Sequence, residues 1–365
     1  IDFTAGIAVN ALGHADPTIA AIIHDQALKL IHVSNLYHAS QAGELARLIV
    51  ETTRLSGGMQ KASKVFFANS GTEANEGAIK FCRKVGKLIG DVKKHKIVSF
   101  TNSFHGRTMG SLSATPNPKY QAPFAPMVPG FVVGEYNKAE GIAELVTEET
   151  CGVIVEPIQG EGGVYQGSAE FLGALRERCT QVSAVLVFDE IQCGLGRTGK
   201  LWAHQYLPKY IQPDVLTMAK SLANGFPIGA ILVGEDVAEA IKIGDHGTTF
   251  GGNPLACRVA HHTFSRLSST ELLQSVQQSS DVITSRLRRL QYRFPSLITE
   301  IRGRGLLLGV QLSVDPTHFI DLCRERGLLI ISAGNNTLRI IPPLNIEPEP
   351  LRNGLDIIEE AFSVM

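Results

Sequence analysis

No run of apolar residues in this chain approaches the roughly 18 that a membrane-crossing helix needs. An excess of one charge is also missing: 34 Lys and Arg against 35 Asp and Glu leave a formal net charge of −1. The longest basic run, Lys93-Lys94-His95-Lys96, reads as a solvated loop and not as a nucleic-acid footprint. Neither a membrane nor a nucleic acid is therefore expected as a partner. The six cysteines (Cys82, Cys151, Cys179, Cys193, Cys257, Cys323) show neither disulfide nor metal spacing. They are expected to be reduced thiols that mostly fill the core. The 11 histidines, His261-His262 among them, lack metal-ligand spacing, and no metal is expected. Internal repeats and low-complexity linkers are absent. The chain opens on Ile1 instead of methionine, so its natural start is expected upstream, and with it any targeting peptide.

The 365 residues suffice for a large core and are expected to form two lobes. A content of 44% hydrophobic and 19% charged residues is that of an ordinary globular protein. Glycine is frequent, 36 of 365 residues against an average near ~7%, and much of it lies beside polar residues, as loops approaching a ligand require. From about Lys64 the pattern alternates strands (65–69, 97–100, 152–155, 184–189, 215–220, 229–233) with helices (72–90, 171–182). The first helix carries Ala74, Ala78, Phe81, Cys82 and Val85 as its apolar positions. Such alternation predicts a mainly parallel sheet with right-handed crossovers. After Pro254 two long helices are expected, 255–267 and 271–292. A smaller βαβ region follows (305–312, 319–326, 328–331, 338–341), then a last helix after Pro350. The expected division is 1–31 for an N-terminal segment of the small lobe, 32–253 for the large lobe, and 254–365 for a connecting helix and the C-terminal small lobe.

The run Ala184-Val185-Leu186-Val187-Phe188-Asp189 closes on an acid, and Val215-Leu216-Thr217-Met218-Ala219-Lys220 closes on a lysine. Strand ends of open α/β sheets are where ligands bind. An Asp and a Lys on one rim point to pyridoxal phosphate (PLP). The amine bonds its aldehyde, and the carboxylate keeps a proton on the ring nitrogen so that the ring can draw off electrons. For an isolated pair a plain ion pair is the better reading. The segment between them, Glu190-Ile191-Gln192-Cys193-Gly194-Leu195-Gly196-Arg197-Thr198-Gly199, changes that balance.

Other motifs fall at the same kind of position. Ser70-Gly71-Thr72-Glu73-Ala74-Asn75, between a strand and a helix, is either a capping box or a phosphate cradle. With Lys220 in the chain the cradle is favoured. Ser103-Phe104-His105-Gly106-Arg107-Thr108 brings an aromatic ring and an arginine. Packing is the plainer reading of the ring, while arginine gives carboxylates a planar bidentate match that lysine lacks. Glu156 and Glu161 stand in Glu156-Pro157-Ile158-Gln159-Gly160-Glu161-Gly162-Gly163, a weak sign of glycosidase chemistry because such pairs are common in loops. Gly194–Gly199 matches the dinucleotide motif literally. Polar residues separate it from its strand and no amphipathic helix begins at Lys200-Leu201-Trp202, so the match is read as coincidence. Arg339 lies in the apolar strand Leu338-Arg339-Ile340-Ile341-Pro342-Pro343 and needs a partner, structural or substrate, because an unpaired buried charge is very costly.

From Asp2-Phe3-Thr4-Ala5-Gly6 to the last helix, the chain resembles the class III (ornithine-type) aminotransferases. The Asp189–Gly199 segment, Asn69-Ser70-Gly71-Thr72-Glu73-Ala74-Asn75 and Gly247-Thr248-Thr249-Phe250-Gly251-Gly252-Asn253-Pro254 carry the resemblance. It implies an α/β fold, that of the fold type I PLP-dependent transferases: a large lobe with a mainly parallel, seven-stranded sheet, plus a smaller α/β lobe. Pyridoxal 5'-phosphate is the implied cofactor, held by Ser70, Gly71, Thr72, Phe104, His105, Glu156, Asp189, Gln192 and Lys220. Thr249 is expected to reach across a homodimer to the neighbour's cofactor. Lys220, Asp189 and Glu161 are the implied catalytic residues, and Arg107, Glu161, Thr248 and Arg339 the implied substrate contacts. The implied small-molecule substrates are N-acetylornithine and 2-oxoglutarate or glutamate, in the mitochondrial matrix. Ornithine, succinylornithine and 4-aminobutyrate are the alternative donors, and a PLP-binding regulator without turnover is the alternative outside catalysis. The family also leads one to expect a further N-terminal segment that helps complete the small lobe.

Overall fold

Uncharged runs rich in Val, Ile, Leu and Phe become the centre of one sheet. The computed structural model describes residues 1–365. Its seven-stranded sheet comprises β1 (Ala62–Ala68), β2 (Lys96–Phe100), β3 (Phe131–Gly134), β4 (Thr150–Val155), β5 (Val185–Asp189), β6 (Val215–Met218) and β7 (Gly229–Gly234). Their order is β1-β7-β6-β5-β4-β2-β3. Pairs from β6 to β3 are parallel, and β7 alone runs antiparallel to both neighbours. Strands β4 to β7 are buried along their length, which is why they read as unbroken apolar runs. Every strand except β7 thus ends on one edge, where open α/β sheets take their ligands.

Helices cover both faces. The helix Gly71–Gly90 lays Ala74, Ala78, Phe81 and Cys82 on one, and Ala169–Gln181 lays Phe171, Leu172, Leu175 and Cys179 on the other. The first helix packs close enough that a Cβ on Gly86 would lie 2.4 Å from Cys151 Cβ. All six cysteines are buried and unpaired. No helix is long and apolar enough to cross a membrane.

The helices after Pro254 run from Pro254 to Leu267 and from Thr270 to Arg293, within two residues of expectation. The C-terminal sheet differs from it. Its strands β8 (Ile298–Arg304), β9 (Leu307–Leu312), β10 (Ile331–Ala333) and β11 (Thr337–Ile340) pair in the order β8-β9-β11-β10, all antiparallel. The βαβ expectation is therefore corrected to an antiparallel sheet. Its first strand, Ile-Thr-Glu-Ile-Arg-Gly-Arg, was not anticipated because charged and glycine residues break its apolar run. Residues 328–330 do not form a strand of this sheet. Leu329 instead meets the N-terminus, accepting from Phe3 N at 2.9 Å and donating to Ile1 O at 2.9 Å.

Candidate active site

Strand ends and the loops after them enclose a cavity of about 340 Å³ at the C-terminal edge of the large sheet. Ser70, Gly71, Thr72, Phe104, His105, Arg107, Glu156, Asp189, Gln192 and Lys220 all line it. Thr248 and Thr249 do not; they line a neighbouring recess of about 1000 Å³ with Asn35 and Leu36. Thr248 is nonetheless tied to the cradle loop, since Asn69 Nδ2 donates to its Oγ1 at 2.9 Å.

Asp189, buried at the end of β5, is fastened by three donors. Asn75 Nδ2 lies 2.7 Å and His105 Nδ1 2.7 Å from its Oδ2, and Ile191 N donates to Oδ1 at 3.1 Å. Asn75 is anchored in turn, accepting from Thr217 Oγ1 at 2.8 Å and donating to His105 O at 2.8 Å. Sequence reasoning passed over Asn75, although a fully buried amide beside Ala74 and Ala78 on the apolar face of a helix is a signal. Glu156 accepts from Phe104 N and Gly160 N, each at 3.0 Å. Burial pushes its carboxyl up to about 7, with His105 opposing the rise and Asp189 adding to it. His105 Nε2 is buried and has no partner.

Lys220 follows β6 with φ of 41°, a left-handed backbone that a lysine adopts only when its surroundings impose it. It forms no ion pair with Asp189 or any other carboxylate within 4.0 Å, so the plain ion-pair reading fails. Burial, reinforced by the positive charge of Arg339, lowers its ammonium to about 8 against the opposing pull of Asp189, Glu156 and Glu161. An amine of this kind is partly neutral, hence nucleophilic, near neutral pH.

At this helix start the capping contacts are present. Ser70 Oγ caps the helix by accepting from Glu73 N at 3.3 Å, and Glu73 Oε2 returns to Asn69 N at 2.6 Å. The first N–H groups of such a helix have no intrahelical partner and face an anion favourably. Thr72 Oγ1 is committed elsewhere: it accepts from Arg107 N at 3.0 Å and Thr108 N at 3.1 Å. Gly106, at φ 134°, allows this contact, because a Cβ there would lie 2.2 Å from Thr72 Oγ1.

Two arginines differ in state. Arg339, 1% exposed on β11, pairs with Glu161 Oε2 at 2.9 Å and donates to Gln192 Oε1 at 3.1 Å. Arg107 is exposed, has no carboxylate partner, and lies 3.9 Å over the ring of Tyr120, which the sequence did not flag. The Gly194–Gly199 loop starts no α-helix. It buries Arg197, which accepts Leu306 N on its carbonyl at 2.9 Å and donates through Nη1 to Leu306 O at 3.2 Å. A helix start, a clamped carboxylate and an unpaired amine around one cavity fit the phosphate, ring nitrogen and aldehyde of PLP.

Residues 1–362 match the family profile described as aminotransferase class-III. The mitochondrial acetylornithine aminotransferase of Neurospora crassa is 58% identical over 366 residues, covering 100% of this chain and 79% of that protein. The Saccharomyces cerevisiae protein of the same name is 49% identical over 369 residues, covering 100% and 87%. Among solved structures, N-acetylornithine aminotransferase from Stenotrophomonas maltophilia K279a superposes with a TM-score of 0.85 at 38% identity, covering 100% and 90%. Ornithine aminotransferase from Toxoplasma gondii ME49 gives 0.92 at 32% identity, covering 100% and 86%.

Proposed function

The chain belongs to the class-III aminotransferases, which work with pyridoxal phosphate, and from that premise we propose that it moves the terminal amino group of N2-acetyl-L-ornithine to 2-oxoglutarate. The products are N-acetyl-L-glutamate 5-semialdehyde and L-glutamate, a step of arginine biosynthesis, and the location is the mitochondrial matrix. The mitochondrial acetylornithine enzymes among the relatives support substrate and compartment. The observation that carries the substrate reading is the contrast between the free Arg107 and the Glu161-paired Arg339. One free guanidinium suits a donor with a single carboxylate. A second one, released on demand, suits a dicarboxylate.

Bound PLP supplies an electrophilic aldehyde and a ring that accepts the electrons released when the substrate loses its proton. Lys220 Nζ is the amine that would hold the cofactor, and the base that would take the substrate proton and return it. Asp189 is aimed by Asn75, His105 and Ile191, and its role would be to hold the proton on the ring nitrogen. Ser70, Gly71 and Thr72 take the phosphate at the helix start. Phe104 would cover the ring and Gln192 would meet the ring hydroxyl, while His105 holds Asp189 and Glu156 holds the backbone of Phe104 and Gly160. Arg107 binds the acetylornithine carboxylate, then the distal carboxylate of 2-oxoglutarate. Glu161 neutralises Arg339 in the first half-reaction and swings aside for the α-carboxylate in the second. Leaving that buried guanidinium unpaired would otherwise cost several kcal/mol, of the order of ~3–5.

The protein works as a homodimer in which Thr249 reaches the neighbour's phosphate and Thr248 its substrate. Support comes from the side chains around the recess that holds these threonines: Leu36, Tyr37 and Phe250 are 87%, 69% and 61% exposed. Patches of that kind mark association sites. A panel of N2-acetylornithine, ornithine, succinylornithine and 4-aminobutyrate, read by coupled glutamate formation, tests the reading. The highest kcat/KM is expected for N2-acetylornithine, and a higher value for any other donor refutes the substrate.

A further inference from the structure

On one face of the C-terminal sheet, Arg302, Gly309 and Arg339 occupy a single row. Arg302 of β8 stands opposite Gly309 of β9, and Gly309 stands opposite Arg339 of β11. Directly opposed residues of antiparallel strands project to the same side. Two arginines therefore flank a position without a side chain, and Val164 fills it. A Cβ on Gly309 would lie 3.0 Å from Val164 Cβ, and one on Gly303 would lie 2.9 Å from Val164 Cγ1. Val164 is fully buried with φ of 61°. A β-branched residue takes that left-handed conformation only where its surroundings over-determine it.

The surroundings do so from both ends. Arg302 donates through Nε to Gly163 O at 2.7 Å and through Nη1 to Glu300 Oε2 at 2.8 Å. Its Nη2 donates to Gln311 Oε1 at 2.9 Å and Thr337 Oγ1 at 2.7 Å, and its guanidinium carbon lies 4.0 Å over the Tyr165 ring. At the other end Gly334 N donates to Glu161 O at 2.9 Å. Between them a Cβ on Gly162 would lie 2.2 Å from Asn102 O, so that backbone has no room to shift towards it. The Glu161 side chain, by contrast, is 36% exposed and held only by Arg339.

We propose that Arg302 is a positioning residue that straps segment 161–165 to the C-terminal sheet, so that Glu161 leaves Arg339 by rotating its side chain while its backbone stays fixed. The inference rests on the reading of Glu161 as a displaceable partner of Arg339. A fixed backbone keeps the Glu161 carboxylate at high local concentration beside Arg339. The strap thereby sets how hard an incoming α-carboxylate must compete, and so the balance between the glutamate and acetylornithine half-reactions.

The test uses the holoenzyme and the variants Arg302→Met, Gly309→Ala, Glu161→Gln and Arg302→Met with Glu161→Gln. Amide hydrogen exchange over residues 161–165 is measured beside single-turnover rates with glutamate and with N2-acetylornithine. Arg302→Met and Gly309→Ala are each expected to speed exchange in the segment and to raise the glutamate-to-acetylornithine rate ratio by roughly tenfold. Gly309→Ala reaches this result without touching a charge, by pressing on Val164, and serves where Arg302→Met fails to fold. In the Glu161→Gln background, Arg302→Met is expected to leave the ratio where Glu161→Gln alone puts it. Unchanged exchange, or equal slowing of both half-reactions, overturns the strap. Faster exchange with an unchanged ratio in Glu161→Gln alone upholds the strap and refutes the reading of Glu161 instead.

Discussion

Asn75 donates to Asp189 Oδ2 across 2.7 Å, joining the second turn of the cradle helix to the end of β5. The two residues are 114 positions apart, and the same oxygen also meets His105. The carboxylate is thus held from two directions, with its plane fixed. Hydrogen bonds to a charged group contribute about 1.5–3 kcal/mol. Asn75→Ala is therefore expected to weaken cofactor binding by about tenfold or more, measured as the dissociation constant for pyridoxal phosphate. Asn75→Asp, which sets a second carboxylate beside Asp189, is expected to weaken it further. Cofactor affinity unchanged in both variants refutes the clamp.

Lys220 supplies a pH test. Its ammonium sits at about 8 because burial, and then Arg339, disfavour the charged form. Covalent uptake of the cofactor by cofactor-free protein needs the neutral amine. The uptake rate is expected to climb about tenfold per pH unit below that value and to level off above it. Arg339→Met removes a positive neighbour and should move the midpoint upward. Lys220→Ala should abolish borohydride labelling and nearly all turnover. Labelling of another lysine would refute the assignment.

Arg107 has no protein carboxylate to lose, so removing it should leave the fold intact. Arg107→Ala is expected to impair both half-reactions, raising KM for N2-acetylornithine and for 2-oxoglutarate by about 10- to 100-fold. Tyr120→Leu, which removes only the ring beneath the guanidinium, should cost a few-fold, as ~0.5–1 kcal/mol of cation–π contact implies. Thermal melting separates these effects from instability: both variants should melt with the parent.

Complementation tests the shared site. A Lys220→Ala chain and a Thr249→Ala chain, mixed and allowed to exchange subunits, should form hybrids in which one site carries both defects and the other neither. Activity is expected to recover on mixing. A monomeric active protein sinks the proposal.

Reading the sequence worked where a single segment holds its own signal. Leu186-Val187-Phe188-Asp189 and Val215-Leu216-Thr217-Met218 are buried on both faces, so continuous apolarity marked them as strands, and Asp189 and Lys220 at their ends line the cavity. Ile298–Arg304 is edge-like and charged, and it escaped for that reason. So did β3, four residues long with an exposed Val133 at 44%. The missed side chains share another trait. Asn75 acquires meaning from Asp189 and Thr217, Tyr120 from Arg107, and Arg302 from Gly163. Apart from Tyr120, these partners are more than 100 residues away, a relation that periodicity does not encode.

Thr72 Oγ1 receives the backbone N–H groups of Arg107 and Thr108, while its own main chain lies in the first turn of the Gly71–Gly90 helix. One hydroxyl therefore pins the start of that helix to the loop that carries Arg107. The two segments cannot shift apart without giving up both bonds, so a helix start and a loop 35 residues further on behave as one piece of backbone.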